Sequence, residues 1–488
     1  METYIIIDNP KRWNLKVPGV TVVKAQDYLT DKSFSLVRRA RVFNMCRTYR
    51  YQSVGYYVSL IAAARGHYPM PSVTTIQDMH LDVVIRQVSH ELDVEIQKSL
   101  KSIHSERFEL SCYFGSNVAR RHNRLAKTLF NMFPVPFLRV FFRKEDQRWA
   151  MTDVRVLSTR DIPEHHHEFV IERIIEFIGR RIRKSTKDLR PYRYEMAILA
   201  SPDENTPPSN PAAIEKFRAA ADRQGIGVEL ITRQDYAQLD RYDALFIRDT
   251  TSVDHYTYRF ARRAEAVGLA VIDDPLSILR CTNKIYLKEL LTRNRIPIPS
   301  SEVIAKHTVH RVDNKIGYPC VVKIPDSSYS QGVFKFVTRD EFMEATAALF
   351  KKSDLLLVQA FVPTAFDWRV GIINRQPLYV CKYHMAKQHW QIYNHGIEGD
   401  DVTGMAETLA IGDAPPAVIN AAVQSAGLIG NGLYGVDLKE IDGNPVVIEI
   451  NDNPSIDNGV EDLVLKDELY DTIIREFIRR LDAFHGKQ

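Results

Sequence analysis

A chain of 488 residues, 45% apolar and 26% charged, has the composition of a globular protein of about three domains, which excludes wholesale disorder. No apolar run approaches the roughly 18 residues that cross a bilayer, the start lacks a cationic leader, and five scattered cysteines without CxxC spacing exclude a disulfide framework, so a cytoplasmic protein without membrane partners is expected. The net charge of +4 is uneven: residues 1–190 carry 32 Lys+Arg against 20 Asp+Glu (+12), and residues 191–488 carry 33 against 41 (−8).

The first segment, residues 1–190, reads as a mixed α+β domain. A helix is predicted from Gly55 to Arg65, and another over residues 80–100, where Val84, Val88, Leu92 and Ile96 recur every four positions. Two strands, Pro136–Phe142 and Arg148–Leu157, flank a polar turn. His165-His166-His167 follows Pro163 and reads as a polar loop, because adjacent histidines cannot all face one metal ion. A helix near 168–182 leads into a basic linker, Arg180 to Tyr194. The positive charge of this segment suits an acidic polypeptide or RNA as partner; a solvated surface docked on the acidic remainder is the alternative.

From Tyr194 the pattern becomes alternating βα units: strands at Glu195–Ala200, Gly227–Ile231, Tyr242–Ile247 and Leu269–Ile272, with helices at Pro211–Gln224 and Thr257–Val267. This implies a small parallel-sheet domain over residues 191–280. No glycine fingerprint follows its first strand, so a dinucleotide site is not expected there.

Residues 281–488 contain hairpins. Strands are predicted at Cys320–Ile324, Val333–Val337, Leu355–Val362, Trp368–Ile373 and Leu378–Tyr383, with helices at Asp340–Leu349, Ala417–Ile429 and Tyr470–Phe484. Gly430 to Gly435 fits GxGxxG literally. It follows a helix and precedes a strand, so a helix cap and connector is expected.

Lys323 ends a strand just before the Ser/Gly loop Pro325 to Gly332, a cradle able to present N–H groups and hydroxyls to phosphate. Lys284 opens a helix after Asn283. Asp437 on one strand of the last hairpin, and Glu449 and Asn451 on the other, form a hard-oxygen set suited to Mg²⁺; a solvent-facing polar hairpin is the alternative. For all three to share a face, Asp437 must oppose an odd-numbered residue, most simply Glu449, which puts Ile441 opposite Pro445 across a three-residue loop, Asp442-Gly443-Asn444. Val436, Leu438, Ile448 and Ile450 then point into the core.

The order Asn283-Lys284, Lys323, Gln331-Gly332, Gln359-Ala360-Phe361-Val362, Asp367-Trp368-Arg369, Asp437 and Glu449-Ile450-Asn451 resembles the ATP-grasp superfamily, and most closely the RimK-like carboxylate–amine ligases. The resemblance covers residues 195–480. It implies an ATP-grasp domain over 281–488, in lobes of about 281–360 and 361–488, behind the small α/β domain, with residues 1–190 as an N-terminal extension. It implies ATP and Mg²⁺ or Mn²⁺ as cofactors, with Lys284, Lys323, Ser330, Gln331 and Gly332 on phosphates. Gln359, Phe361 and Val362 would line the adenine hinge, Asp367 would take the ribose, and Asn394 after Ala386-Lys387 would lie near the phosphates. Asp437, Glu449 and Asn451 would bind the metal, and Arg369 with Lys323 would serve catalysis.

Departures are Ala360 in place of an acidic hinge residue, a shorter hinge, and His384-Met385 where arginines are usual. The reaction implied is an amide ligation through an acylphosphate, adding glutamate or a similar amino acid to a peptide, protein or small-molecule acceptor, in a homo-oligomer. An ATP-binding regulatory or ribosome/RNA-associated protein is the alternative. Arg248, at the end of a strand, is a further candidate for acceptor binding, against a plain surface arginine.

Overall fold

The computed structural model describes residues 2–10, 20–37, 40–179, 192–202, 204, 206–326, 332–386 and 405–485. The chain divides into two compact units, Met1–Pro191 with Gln234–Arg241, and Tyr192–Arg233 with Tyr242–Gln488.

In the first unit, β1 (Glu2–Ile7), β2 (Thr21–Lys24), β3 (Ala40–Asn44) and β4 (Tyr68–Met70) form a parallel sheet in the order β2-β1-β3-β4. A second, antiparallel sheet holds β5 (Arg107–Tyr113), β6 (Phe137–Glu145) and β7 (Arg148–Val156). Along β6 the two-residue period buries Leu138, Val140 and Phe142 and puts Arg139, Phe141 and Arg143 on the opposite face. The single helix expected over 80–100 is two, Asp82–Glu91 and Asp93–Leu100, broken at Leu92. The four-residue spacing runs through the break because Val88 and Ile96 belong to the same core. The three histidines are not a loop either: a 3₁₀ turn, Glu164–His166, runs into the helix His167–Gly179, and the His166 Nδ1 lies 2.9 Å from the Tyr113 hydroxyl. The expected linker lies almost wholly outside the described residues.

In the second unit, β8 (Tyr194–Leu199), β9 (Ile226–Ile231), β10 (Ala244–Ile247) and β11 (Ala270–Ile272) make a parallel sheet in the order β11-β10-β8-β9. The helix Pro211–Arg223 starts where the Asn210 side chain accepts the Ala213 N–H at 2.9 Å and proline fills the first turn, where its missing N–H costs nothing. A parallel sheet must bury both faces. The chain's last helix, Asp467–His485, helps here: Tyr470 packs on Phe217 with ring centroids 4.8 Å apart, and Phe477 on Phe246 at 5.5 Å.

β12 (Ser301–Ala305), β13 (Cys320–Lys323), β14 (Val333–Phe336) and β15 (Leu355–Ala360) form an antiparallel sheet in the order β12-β15-β13-β14. The last sheet, also antiparallel, holds β16 (Phe366–Ile373), β17 (Gln376–His384), β18 (Ala406–Leu409), β19 (Leu433–Ile441) and β20 (Asn444–Asn451), in the order β18-β17-β16-β19-β20. Gly430 caps the helix Pro416–Ile429 and leads directly to β19, the connector role expected of the GxGxxG stretch.

Phe477 is fully buried, so Phe477→Ala leaves a cavity between the closing helix and the parallel sheet. The expected loss is about 3–5 kcal/mol, read as a lower urea midpoint at unchanged slope.

Candidate active site

The hairpin β19–β20 carries the acidic residues, and its register differs from the expected one. Asp437 does oppose Glu449, and Gly435 opposes Asn451. Beyond Asp437 the pairing slips by one residue, so Leu438 pairs with Val447 and Ile441 with Asn444. The turn is therefore the two residues Asp442 and Gly443, with φ of 50° and 78°, not the three-residue loop. An Asp-Gly pair is suited to a two-residue hairpin with both positions at positive φ, whose twist matches the strands. The extra residue is accommodated as a bulge at Ile448. Ile448 consequently lines the cleft, and Val447 takes the core position expected for it.

This register builds a row across three strands: Arg369 on β16 opposes Asp437 on β19, which opposes Glu449 on β20. The Arg369 guanidinium grips Asp437 with two donors, Nε to Oδ1 and Nη2 to Oδ2, the latter at 2.8 Å. Asn451 adds its Nδ2 to Asp437 Oδ2 at 3.3 Å, which leaves its own carbonyl oxygen facing outward from that bond. The Arg369 guanidinium also lies 5.2 Å from the centre of the Tyr383 ring. Gly435 makes room for this packing, since a Cβ there would come within 2.7 Å of Pro454 and 3.1 Å of the Arg369 stem.

Both lysines reach the same place. Lys284 begins the helix Lys284–Arg293, whose cap Asn283 accepts the N–H groups of Ile285 and Tyr286. Asn283 also donates to both oxygens of Asp326, and the Lys284 amide donates to the Pro325 carbonyl at 3.0 Å, so the helix start is tied to the base of the 325–332 loop. The Lys284 Nζ lies 3.1 Å from Glu449 Oε1. Lys439 pairs with Asp367, whose Oδ1 also accepts the Thr364 hydroxyl at 3.1 Å.

Three carboxylates thus have three cationic partners. Lys323, at the end of β13 and only 6% exposed, is the cation left over: among the described residues no acceptor lies within hydrogen-bonding distance of its Nζ. Burial pushes its pKa down to about 8, with the charges of Glu449, Asp367 and Asp437 pulling it back up and that of Lys284 adding to the fall. Burial likewise disfavours the ionised form of Glu449, but Lys284 and Lys323 outweigh it and hold the carboxyl below its ordinary value. Asp326 and Asp452 also line the cleft, Asp326 held by Asn283 and Asp452 with its pKa pushed up to about 7 by burial, so the cleft as a whole is not cationic. What it offers an anion is the one buried ammonium without a direct partner.

The cleft around these groups encloses about 270 Å³. Of the residues expected at the site, Lys284, Lys323, Gln359, Val362, Asp367, Arg369, Asp437, Glu449 and Asn451 all line it. Gln359 is held by a bond from its Nε2 to the Ser301 hydroxyl at 3.0 Å. Phe361 is not on the wall. Its amide donates to the Pro319 carbonyl at 3.2 Å, and its ring carries the Lys335 ammonium 3.7 Å from its centre. Gly332, with φ of 79°, closes the loop by accepting the Ile324 N–H at 2.9 Å. Ser330, Gln331, Lys387 and Asn394 lie outside the described residues.

Arg248 is corrected. It is 1% exposed, and its donors go to the Pro208 carbonyl, the Ser209 hydroxyl, Asn453 Oδ1 at 2.6 Å and the Pro454 carbonyl at 2.9 Å. It is a strut behind the cleft wall, not a surface arginine or an acceptor ligand. Residues that sequence reasoning missed are Lys439 and Thr364, which hold Asp367, and the cleft-lining segments Thr250–Ser252 and Asp452–Ser455. The run Asn451-Asp452-Asn453-Pro454, polar directly after an apolar strand, was the available signal for the last.

Two family models match this chain. Residues 25–173 match the RimK-like ATP-grasp N-terminal domain, and residues 291–458 match the D-Ala–D-Ala ligase C-terminus. A probable α-L-glutamate ligase of Maridesulfovibrio salexigens is 26% identical over 228 residues, 46% of this chain and 72% of that protein. One from Vibrio vulnificus is 26% identical over 248 residues, 50% of this chain and 78% of its own. Among solved structures, the D-alanine–D-alanine ligase of Bacillus anthracis complexed with ATP has a TM-score of 0.47 at 17% identity, covering 60% of this chain and 99% of that one.

Lys323→Met tests the excess charge. A lysine with a depressed folded-state pKa holds its proton more tightly in the unfolded chain, so wild-type stability should rise between about pH 8 and the ordinary lysine value. The variant should lose that slope and gain about 1–3 kcal/mol at neutral pH, measured by urea titrations across that range. It should bind ATP far more weakly. Wild-type ATP affinity should itself fall as the pH is raised through about 8.

Proposed function

We propose, for a chain that belongs to the RimK-like ATP-grasp ligases, that the cleft between β13–β15 and β16–β20 binds ATP and joins an amino acid to a peptide or protein carboxylate through an acylphosphate. The observation that carries this is the buried Lys323 ammonium left over beside three compensated ion pairs. The names of the relatives favour glutamate as the amino acid added.

In this reading the carboxylate of the acceptor attacks the γ-phosphorus of ATP and releases ADP. The amine then attacks the acyl carbon, loses a proton, and releases phosphate as the amide forms. Little of this needs covalent help from the protein; the task is to place the groups and neutralise spreading charge. Lys323 and Lys284 would face the phosphates, with N–H groups of the loop ending at Gly332 and, outside the described residues, Ser330 and Gln331. Val362 would meet adenine through its backbone. Phe361 contributes its carbonyl at most, since its N–H is taken. Asp367 has its Oδ1 engaged by Lys439 and Thr364, which leaves Oδ2 for a ribose hydroxyl. Arg369 spends Nε and Nη2 on Asp437 and keeps Nη1 for the acylphosphate.

Asp437, Glu449 and the Asn451 carbonyl fit a hard divalent cation, Mg²⁺ or Mn²⁺. When bound, such an ion draws charge off the phosphate oxygens. Both carboxylates are already paired with cations, and among the described residues no three acidic, imidazole or thiol groups converge on one point. The donor set is therefore complete only with oxygens supplied by the nucleotide.

Purified protein should release ADP with ATP, a divalent cation, glutamate and a peptide acceptor, and mass spectrometry should show the acceptor heavier by one or more glutamyl residues. Arg369→Lys should lower kcat by about 10²-fold with ATP affinity nearly unchanged. Tight ATP binding with no amine-dependent ADP release, across a panel of amino acids and peptides, would sink the ligase reading and leave a nucleotide-binding regulator.

A further inference from the structure

The first unit holds a second anion-seeking arrangement, independent of the cleft. One face of the β5-β6-β7 sheet packs into the core through Leu110, Cys112, Val140, Phe142 and Met151. The other face carries arginines set directly against arginines. Arg107 opposes Arg143, and Arg139 opposes Arg155, on either side of a central Phe141. Like charges directly opposite one another on neighbouring strands destabilise a sheet.

Part of that cost is offset within the face. Arg155 donates to Asp153 at 2.6 Å and stacks its guanidinium 4.7 Å from the Phe141 ring centre, and Arg139 donates to the Ser111 hydroxyl with Glu109 3.6 Å away. Arg107 and Arg143 have no such relief: both are exposed, and among the described residues neither has a carboxylate within ion-pair distance. Glu145, the next residue of β6 on this face, makes no ion pair with either among the described residues, so the four arginines face three carboxylates and the two unrelieved arginines sit opposite each other.

We propose that this face binds a single-stranded nucleic acid, with the Arg107–Arg143 pair on one phosphate, the Arg139–Arg155 end near another, and a base stacked on the Arg155–Phe141 platform. Arg139 and Arg143 are four residues apart on one strand, about 13 Å, far enough to meet different phosphates. An acidic polypeptide would satisfy the arginines equally well. It would give the stacked guanidinium and ring nothing to do, whereas a base has a flat face for either surface.

The test is fluorescence anisotropy of the full chain with labelled oligouridylate and oligothymidylate over a range of salt. Wild type should bind with a linear dependence of log affinity on log salt. Arg143→Glu should flatten that slope by about 0.7 for each phosphate it no longer neutralises, while weakening binding about tenfold. Phe141→Ala should weaken binding about tenfold at an unchanged slope. Tighter binding of one oligomer than the other decides between RNA and DNA. Free Arg143→Glu should melt above wild type, since it turns a repulsive pair into an attractive one; a lower melting point would show a structural arginine and overturn the proposal. Wild-type affinity in both Arg107→Glu and Arg143→Glu would overturn it too. So would tighter binding of oligo-L-glutamate that ignores Phe141→Ala, which would assign the face to an acidic polypeptide.

Discussion

The second unit is organised around an ammonium group that folding leaves without a direct partner. Burying a charge costs several kcal/mol unless a counter-charge meets it. Here the chain meets that requirement for Lys284, Arg369 and Lys439, and stops short at Lys323. Much nearby structure serves to keep this imbalance in place. The bidentate grip of Arg369 on Asp437 prevents the aspartate from swinging across to Lys323, and the Lys284 bond holds Glu449. The strut Arg248 fixes Asn453 and Pro454, and Pro454 in turn packs beside Gly435 over Arg369. A pocket with every charge matched would be more stable and would have no use for phosphate.

The parts of this arrangement that were legible in the sequence are those written in local patterns. The parallel βα units, the hairpins, Lys323 before a loop and the Glu449–Asn451 pair all follow from periods of two and from single strands read alone. What escaped was register. The Asp-Gly turn and the Ile448 bulge are compensating one-residue shifts, and alternation of apolar residues cannot distinguish them from one longer loop without a bulge. Because the two shifts cancel at Asp437, the facing of Asp437 and Glu449 came out as expected although the route to it did not.

Residues that act across strands or across sheets were harder still. Lys439 and Thr364 hold Asp367 across 72 and 3 positions of chain, and neither residue type marks a site by itself. Arg248 shows the reverse error. An arginine at the end of a parallel strand stands where ligands commonly bind, and only its four acceptors, two of them more than 200 residues away, reveal that nothing of it is left for a substrate. The helix break at Leu92 was hidden for a related cause: two short helices feeding one core preserve the spacing of a single long one.

The uneven charge of the two halves therefore has different meanings in each. In the acidic half, nearly every cation of the cleft is consumed by a carboxylate, and the small remainder is buried, so its attraction for an anion works at short range in a medium of low dielectric and resists salt. In the basic half a small part of the excess lies on an exposed sheet face, where a side chain such as Arg155 is 68% exposed and ion-pairing is weak and screened. Both arrangements leave cations unpaired in the free protein, a cost that an anion would relieve. The cleft would select a ligand by the shape and partners of its walls, whereas the exposed face would select only by the spacing of its charges and by the one aromatic platform between them.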